Sequence, residues 1–88
     1  MTRRERSEVI FDILSTIQQK GGTIKPTHLL YKANLSHEAL KRYVAELMQN
    51  GFLDETKGSS RTYKLTDKGY EFLAKYKQFK EFNDAFGI

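Results

Sequence analysis

His28 and His37 are the side chains best suited to acid–base or metal chemistry near neutral pH. They stand nine residues apart on different predicted helices, in a chain without a single Cys. Neither the one-turn spacing by which two helical histidines share a zinc ion nor a thiolate partner is present. The glycines mark helix ends and a hairpin, not a phosphate-cradling loop, and no Ser–His–Asp set is suggested. The expectation is therefore no enzyme, no cofactor, no metal and no evident small-molecule substrate. His28 reads as a surface or packing residue. His37 reads either as a ligand contact or as a solvated side chain.

The cations carry more information. Leu40, Tyr43, Val44, Leu47 and Met48 recur at helical spacing, so burying them turns His37, Glu38, Lys41, Arg42, Ala45 and Gln49 outward. Arg42 has the guanidinium fork that matches the guanine edge bidentately, and Lys41 the point charge that suits a phosphate. Further on, Lys57, Arg61 and Lys64 surround the turn-forming stretch Gly58-Ser59-Ser60. Such cations can equally be a solvated helix face, or charges that protect an edge strand from aggregation. Their distribution favours a ligand. Residues 25–65 hold seven Lys/Arg against four Asp/Glu, whereas residues 66–88 balance at four each, within a net charge of +4. A basic excess on one module is the footprint that a phosphate backbone requires.

The elements that must position these cations follow from periodicity and breakers. Val9, Ile10, Ile13, Leu14 and Ile17 predict a first helix ended by Gly21-Gly22, with Thr2 and Glu5 placed to form a capping box. Phe11 lies off that stripe and reads as packing under the last helix or as a subunit contact. Thr23-Ile24 is a short extended piece. Pro26 to about Ala33 is a short second helix, with Pro at its favoured first position. Asn34-Leu35 breaks it, and Ser36 caps a third helix that stops at Asn50-Gly51. Phe52–Thr56 and Arg61–Leu65 read as a hairpin, after which Thr66 caps a last helix through Tyr70, Phe72, Leu73, Tyr76 and Phe79. A short helix, a break and a capped longer helix form a helix-turn-helix. The fold class is mainly α with a small β-hairpin, in the order α-β-α-α-β-β-α with an extended C-terminal helix. No apolar run is long enough to span a membrane. The basic N-terminus lacks the apolar core of a signal peptide, so a cytoplasmic, nucleoid-associated location is expected.

Ala33-Asn34-Leu35-Ser36, Gly51-Phe52-Leu53 and Tyr63-Lys64-Leu65-Thr66-Asp67-Lys68-Gly69, followed by Phe72-Leu73, resemble the small archaeal winged helix-turn-helix DNA-binding proteins. These include transcriptional regulators and chromatin-associated proteins. The resemblance covers roughly residues 7–80. It implies double-stranded DNA as the partner, bound by recognition helix 36–49 in the major groove and basic wing 56–62. Ser36, His37, Lys41, Arg42, Lys57, Ser59 and Arg61 are the candidate DNA contacts. It also implies dimerisation through the C-terminal helix, which in the longest-tailed relatives forms an antiparallel coiled coil; here the helix is shorter.

The tail offers its own evidence for assembly. Phe72, Phe79 and Phe86 recur every seven residues, and Tyr76 and Asn83 form a second line of the same seam. With Phe82 these are the candidate homodimer residues. Phe79, Phe82 and Phe86 lie beyond the expected end of the core, where a lone subunit would leave them in water. The organisation expected is a winged helix-turn-helix domain over residues 1–70, and a C-terminal helix over 71–88 that completes the core and dimerises. The rival reading is a winged helix used as a protein–protein interaction module without DNA binding.

Overall fold

The first helix is anchored by its apolar stripe. Val9, Ile13, Leu14 and Ile17 are all buried on one face of α1 (Arg6–Gln19), in a computed structural model that describes residues 5–87. Glu5 stands at the N-cap without a side-chain cap hydrogen bond. The expected capping box needs Thr2, which lies outside the described residues. At the other end the Gly22 amide donates to the Ile17 carbonyl at 2.9 Å and Gly21 to Gln18 at 3.0 Å, which closes the last turn as a Schellman motif.

β1 (Thr23–Ile24), α2 (Pro26–Ala33), α3 (His37–Gln49), β2 (Leu53–Lys57), β3 (Arg61–Leu65) and α4 (Asp67–Ala85) follow in the expected order. Asn34 ends α2 in the left-handed region, at φ 54° and ψ 49°, a conformation that Asn tolerates better than most residues. Leu29 and Ala33 of α2 and Leu40, Val44 and Leu47 of α3 join the α1 stripe in one core, with Leu30, Tyr43 and Met48 half-buried at its edge.

Two details of the sheet differ from the sequence reading. β2 begins at Leu53, because the Phe52 amide donates to the Leu47 carbonyl at 2.9 Å and so belongs to the close of α3. β1, the short extended piece of the sequence reading, adds a third strand to the hairpin: it pairs antiparallel with β3, giving a sheet ordered β1-β3-β2 with β3 central. The register sets Leu53 opposite Leu65, Glu55 opposite Tyr63 and Lys57 opposite Arg61. These odd-numbered positions share the face that covers the core, and Asp54, Thr56, Thr62 and Lys64 take the other face.

β3 turns into α4 at Thr66. Its hydroxyl donates to the Gly51 carbonyl at 2.6 Å and accepts the Gly69 amide at 3.1 Å. Its own amide donates to Phe52 at 3.2 Å. This one residue joins the end of α3, the start of β2 and the first turn of α4. Gly69 is buried where that turn crosses Phe52: a Cβ there would lie 2.5 Å from the Phe52 carbonyl oxygen. Gly69→Ala, which in an open helix stabilises by about 1 kcal/mol, is therefore expected to destabilise by about 1–3 kcal/mol in urea unfolding. Gly58→Ala, with nothing within 4 Å, should leave stability nearly unchanged.

Candidate nucleic-acid interface

The third helix presents an outer face that is polar except for Ala45. Ser36 caps it, its Oγ accepting the Ala39 amide at 3.1 Å. From that start the helix exposes His37, Glu38, Lys41, Arg42, Ala45 and Gln49, all on the surface. No large apolar side chain is exposed on this face; among the described residues the exposed large apolar ones are Tyr31 on α2, Tyr70, Phe79 and Phe82 on α4, and Phe86 at its C-cap.

The wing reaches the same side of the molecule. Because the odd-numbered face of the hairpin is its core face, the same row of positions runs outward from Leu53 and Leu65, through Glu55 and Tyr63, to Lys57 and Arg61. Arg61 thereby lines a groove with His37 and Lys41 of α3 and with Pro26, Thr27 and Leu30 of α2. Leu40 and Tyr63 complete its wall. The N-termini of α2 and α3 both border this groove, and their partial positive charge adds to that of Lys41 and Arg61. The arrangement is suited to oxyanions of the phosphodiester kind.

The candidate contacts are not all gathered there. Arg42 follows Lys41 by about 100° around the helix and lines a separate recess with Arg6, Tyr43 and Glu46. Glu46 in that recess is ion-paired with Arg6. Lys64 takes the opposite face of the hairpin, directly across from Asp54, and so stands apart from Arg61. Ser59 is exposed at the wing tip. His28 is exposed on α2 and does not line the groove. Among the described residues no cluster of three metal-ligating side chains occurs.

Glu55 is the residue of this surface that sequence reasoning missed. Its carboxylate accepts from Arg61 Nε at 3.2 Å and stands 3.9 Å from Lys57 Nζ, so the two wing cations share one anion. The signal was available in principle. Glu55 and Lys57 are two apart on one strand, and the hairpin register sets Lys57 opposite Arg61, a like-charge pair that a carboxylate relieves.

The tail residues divide. Phe72 packs with Phe52 at 5.4 Å and Tyr76 at 5.9 Å between ring centroids, and Tyr76 stacks on Phe11 at 4.7 Å. Phe11 thus packs under the last helix. Phe79, Phe82 and Phe86 are 61%, 57% and 69% exposed, with only Phe82 and Phe86 in mutual contact at 4.8 Å. Asn83 beside them is half-buried.

Residues 3–84 match the model of a family described as winged helix-turn-helix. The uncharacterized protein MJ0287 of Methanocaldococcus jannaschii is 36% identical over 81 residues, which cover 92% of this chain and 79% of that protein. The uncharacterized protein MJ0290 of the same organism is 33% identical over 76 residues, 86% of this chain; those residues span only 34% of that longer protein. Among solved structures, Sso10a-2, a DNA-binding protein from Sulfolobus solfataricus, superposes with a TM-score of 0.80 at 23% identity, covering 94% of this chain and 85% of the other. At that identity the likeness is one of fold.

The geometry of the cap gives a direct test. Ser36→Ala should lower stability by about 1 kcal/mol, read as a shift in the urea midpoint at constant slope. An unchanged midpoint would mean that the Ser36 hydroxyl contributes nothing to starting α3.

Proposed function

The chain belongs to a winged helix-turn-helix family, and we propose that it binds double-stranded DNA as a transcriptional regulator. α3 enters the major groove, and the wing follows the adjacent backbone. The observation that carries this reading is the convergence of His37, Lys41 and Arg61 on one groove bordered by two helix N-termini, beside an α3 face without a large apolar side chain to offer a protein. Lys41 and Arg61 hold phosphates. Arg42, one step round the helix, reads a base edge. Lys57 and Ser59 touch the backbone from the wing, and the Ser36–His37 amides lie where a phosphate meets the first turn of α3. The protein-module alternative would need an apolar patch on this face.

Glu55 holds the wing cations in position and opposes the phosphates at the same time. With about four phosphates held by Lys41, Lys57, Arg61 and the first turn of α3, log K against log salt should slope at about −3 to −4. Glu55→Gln should tighten binding of all sequences about two- to fivefold at low salt, the effect of removing one partly exposed charge partner. Arg42→Ala should relax sequence preference by about 1–3 kcal/mol. DNA affinity that survives replacement of Lys41, Arg42, Lys57 and Arg61 together would overturn the reading.

The active form is a homodimer. Residues 1–70 form the winged domain, and residues 71–88 complete its core through Phe72, Leu73 and Tyr76 and then pair two subunits. Phe79, Phe82 and Phe86, with Asn83 in the same seam, supply the pairing surface, which Phe72 and Tyr76 continue at their exposed edges. Burying one Phe contributes about 1.5–3 kcal/mol, so two symmetry-related sets suffice to offset part of the association entropy. Two recognition helices related by a two-fold axis would select paired half-sites in the DNA of the cytoplasmic nucleoid. Sedimentation should show the intact chain as a dimer at micromolar concentration, and a chain truncated after Tyr76 as a monomer. An intact chain that stays monomeric at high micromolar concentration would remove the dimer.

A further inference from the structure

Arg42 stands between two carboxylates of its own helix. Glu38 lies one turn before it and Glu46 one turn after. Side chains four apart on a helix surface are neighbours, with about 5–6 Å between their Cβ atoms. Either carboxylate is therefore placed to take the guanidinium, yet neither does. Among the described residues the Arg42 side chain makes no ion pair and no hydrogen bond.

Each carboxylate has a different attraction to answer to. Glu38 sits in the first turn of α3, where the positive end of the helix dipole favours an anion. Glu46 lies in the C-terminal half of the helix and has no such support. Its partner comes from another element: Arg6, the first residue of α1, is ion-paired with Glu46. Arg6, Arg42, Tyr43 and Glu46 line one recess, so two guanidinium groups compete for one carboxylate, and the one from α1 holds it. Both members of the pair reach solvent, and such a pair adds little to stability. What it changes is which cation remains free. Bidentate contact with guanine O6 and N7 uses the whole guanidinium fork. A fork shared with Glu46 would have to leave that pair first, and the abandoned carboxylate would then face the phosphates.

We propose that Arg6 is a positioning residue for base recognition: by occupying Glu46 it leaves Arg42 free, and so sets how strongly the protein prefers a G·C pair where Arg42 reads. Arg6 itself touches no base. The release of Arg42 stands on the pairing alone; its effect on sequence preference rests on the DNA-binding reading.

The test uses the full chain and the variants Arg6→Gln, Arg6→Lys and Arg6→Gln combined with Glu46→Gln. In the free ¹⁵N-labelled protein, Arg6→Gln should move the Arg42 Nε–H resonance and slow its exchange with water about twofold, as Glu46 turns to it. The double variant should return both to their original values. For recognition, a duplex is selected from a random pool and each of its G·C pairs is changed to A·T in turn. The pair whose preference falls with Arg42→Ala is the one that Arg42 reads. At that pair Arg6→Gln should lower the preference for G·C about threefold, Arg6→Lys should keep it, and the double variant should restore it. Restoration separates positioning from a lost phosphate contact or a loosened fold, since neither is repaired by removing Glu46 as well. An Arg42 resonance unmoved by Arg6→Gln would overturn the release of Arg42. A moved resonance with unchanged preference, a preference that the double variant fails to restore, or a duplex in which no pair responds to Arg42→Ala would overturn the role in recognition. A protein that binds no DNA at all would remove the DNA-binding reading, while the Arg42 resonance still decides whether Arg6 keeps Glu46 from it.

Discussion

The close approach of the first turn of α4 to the backbone of Phe52 fixes the relation of every functional element to the core. Gly69 permits that approach by having no Cβ, and Thr66 holds it with three hydrogen bonds to Gly51, Phe52 and Gly69. The end of α3, the start of β2 and the end of β3 are thereby gathered within one turn of chain. Lys68 adds to the same joint, donating to the Asn50 carbonyl at 2.8 Å and lying 5.2 Å from the centre of the Phe52 ring. Since α3 ends here and the wing begins here, the angle between helix and wing is set by this joint. The groove between them inherits its width from it.

The charge pattern on the wing follows from strand geometry once the joint is fixed. A hairpin whose odd-numbered face covers the core must carry the same face outward past the core, where its side chains meet solvent. The positions that are Leu53 and Leu65 inside become Lys57 and Arg61 outside. Directly opposed cations repel, and Glu55, one step inward on the same face, relieves them. The arrangement orders Arg61 at the edge of the groove. It does so by lowering the positive potential that the wing would otherwise show to an anion, a compromise between positioning and strength.

Much of the fold could be read from neighbours in the chain. Ser36 and Asn34 act on amides and dihedrals within a few residues of themselves, as does Thr66 where it accepts the Gly69 amide, so these roles are written locally; the bonds of Thr66 to Gly51 and Phe52 are not. The apolar stripes of α1 and α3 are likewise local, since a 3.6-residue period needs no knowledge of what covers it. What escaped sequence reading depends on contacts between elements. The pairing of β1 with β3, the reach of Glu55 to Arg61 across the hairpin, and the groove wall formed by Pro26, Leu30 and Tyr63 from two elements all require register. Arg42 was grouped with Lys41 because both are exposed on one helix; their separation into different recesses follows from where α1 and the wing lie around that helix. The candidate contacts were thus legible as a set of types, and their assembly was not.

α4 shows how far the fold supports its own tail. Its 19 residues extend about 28 Å at 1.5 Å per residue, which gives the molecule a long axis of 48 Å against 31 and 22 Å. Only the first half is held, through Gly69, Phe72, Leu73 and the stack of Tyr76 on Phe11. Within the helix, Lys75 donates to Glu71 at 2.9 Å and holds that carboxyl below its ordinary pKa, but the pair is solvent-exposed and screened. An isolated stretch of two or three turns is only marginally helical in water. The half that carries Phe79, Phe82 and Phe86 therefore lacks, in one subunit, both a cover for its rings and a surface to keep it wound. In the proposed dimer a second α4 packed against this seam would supply both at once, so burial of the rings and persistence of the helix would be coupled. Under that proposal the spacing of the two α3 helices becomes a property of the paired tails.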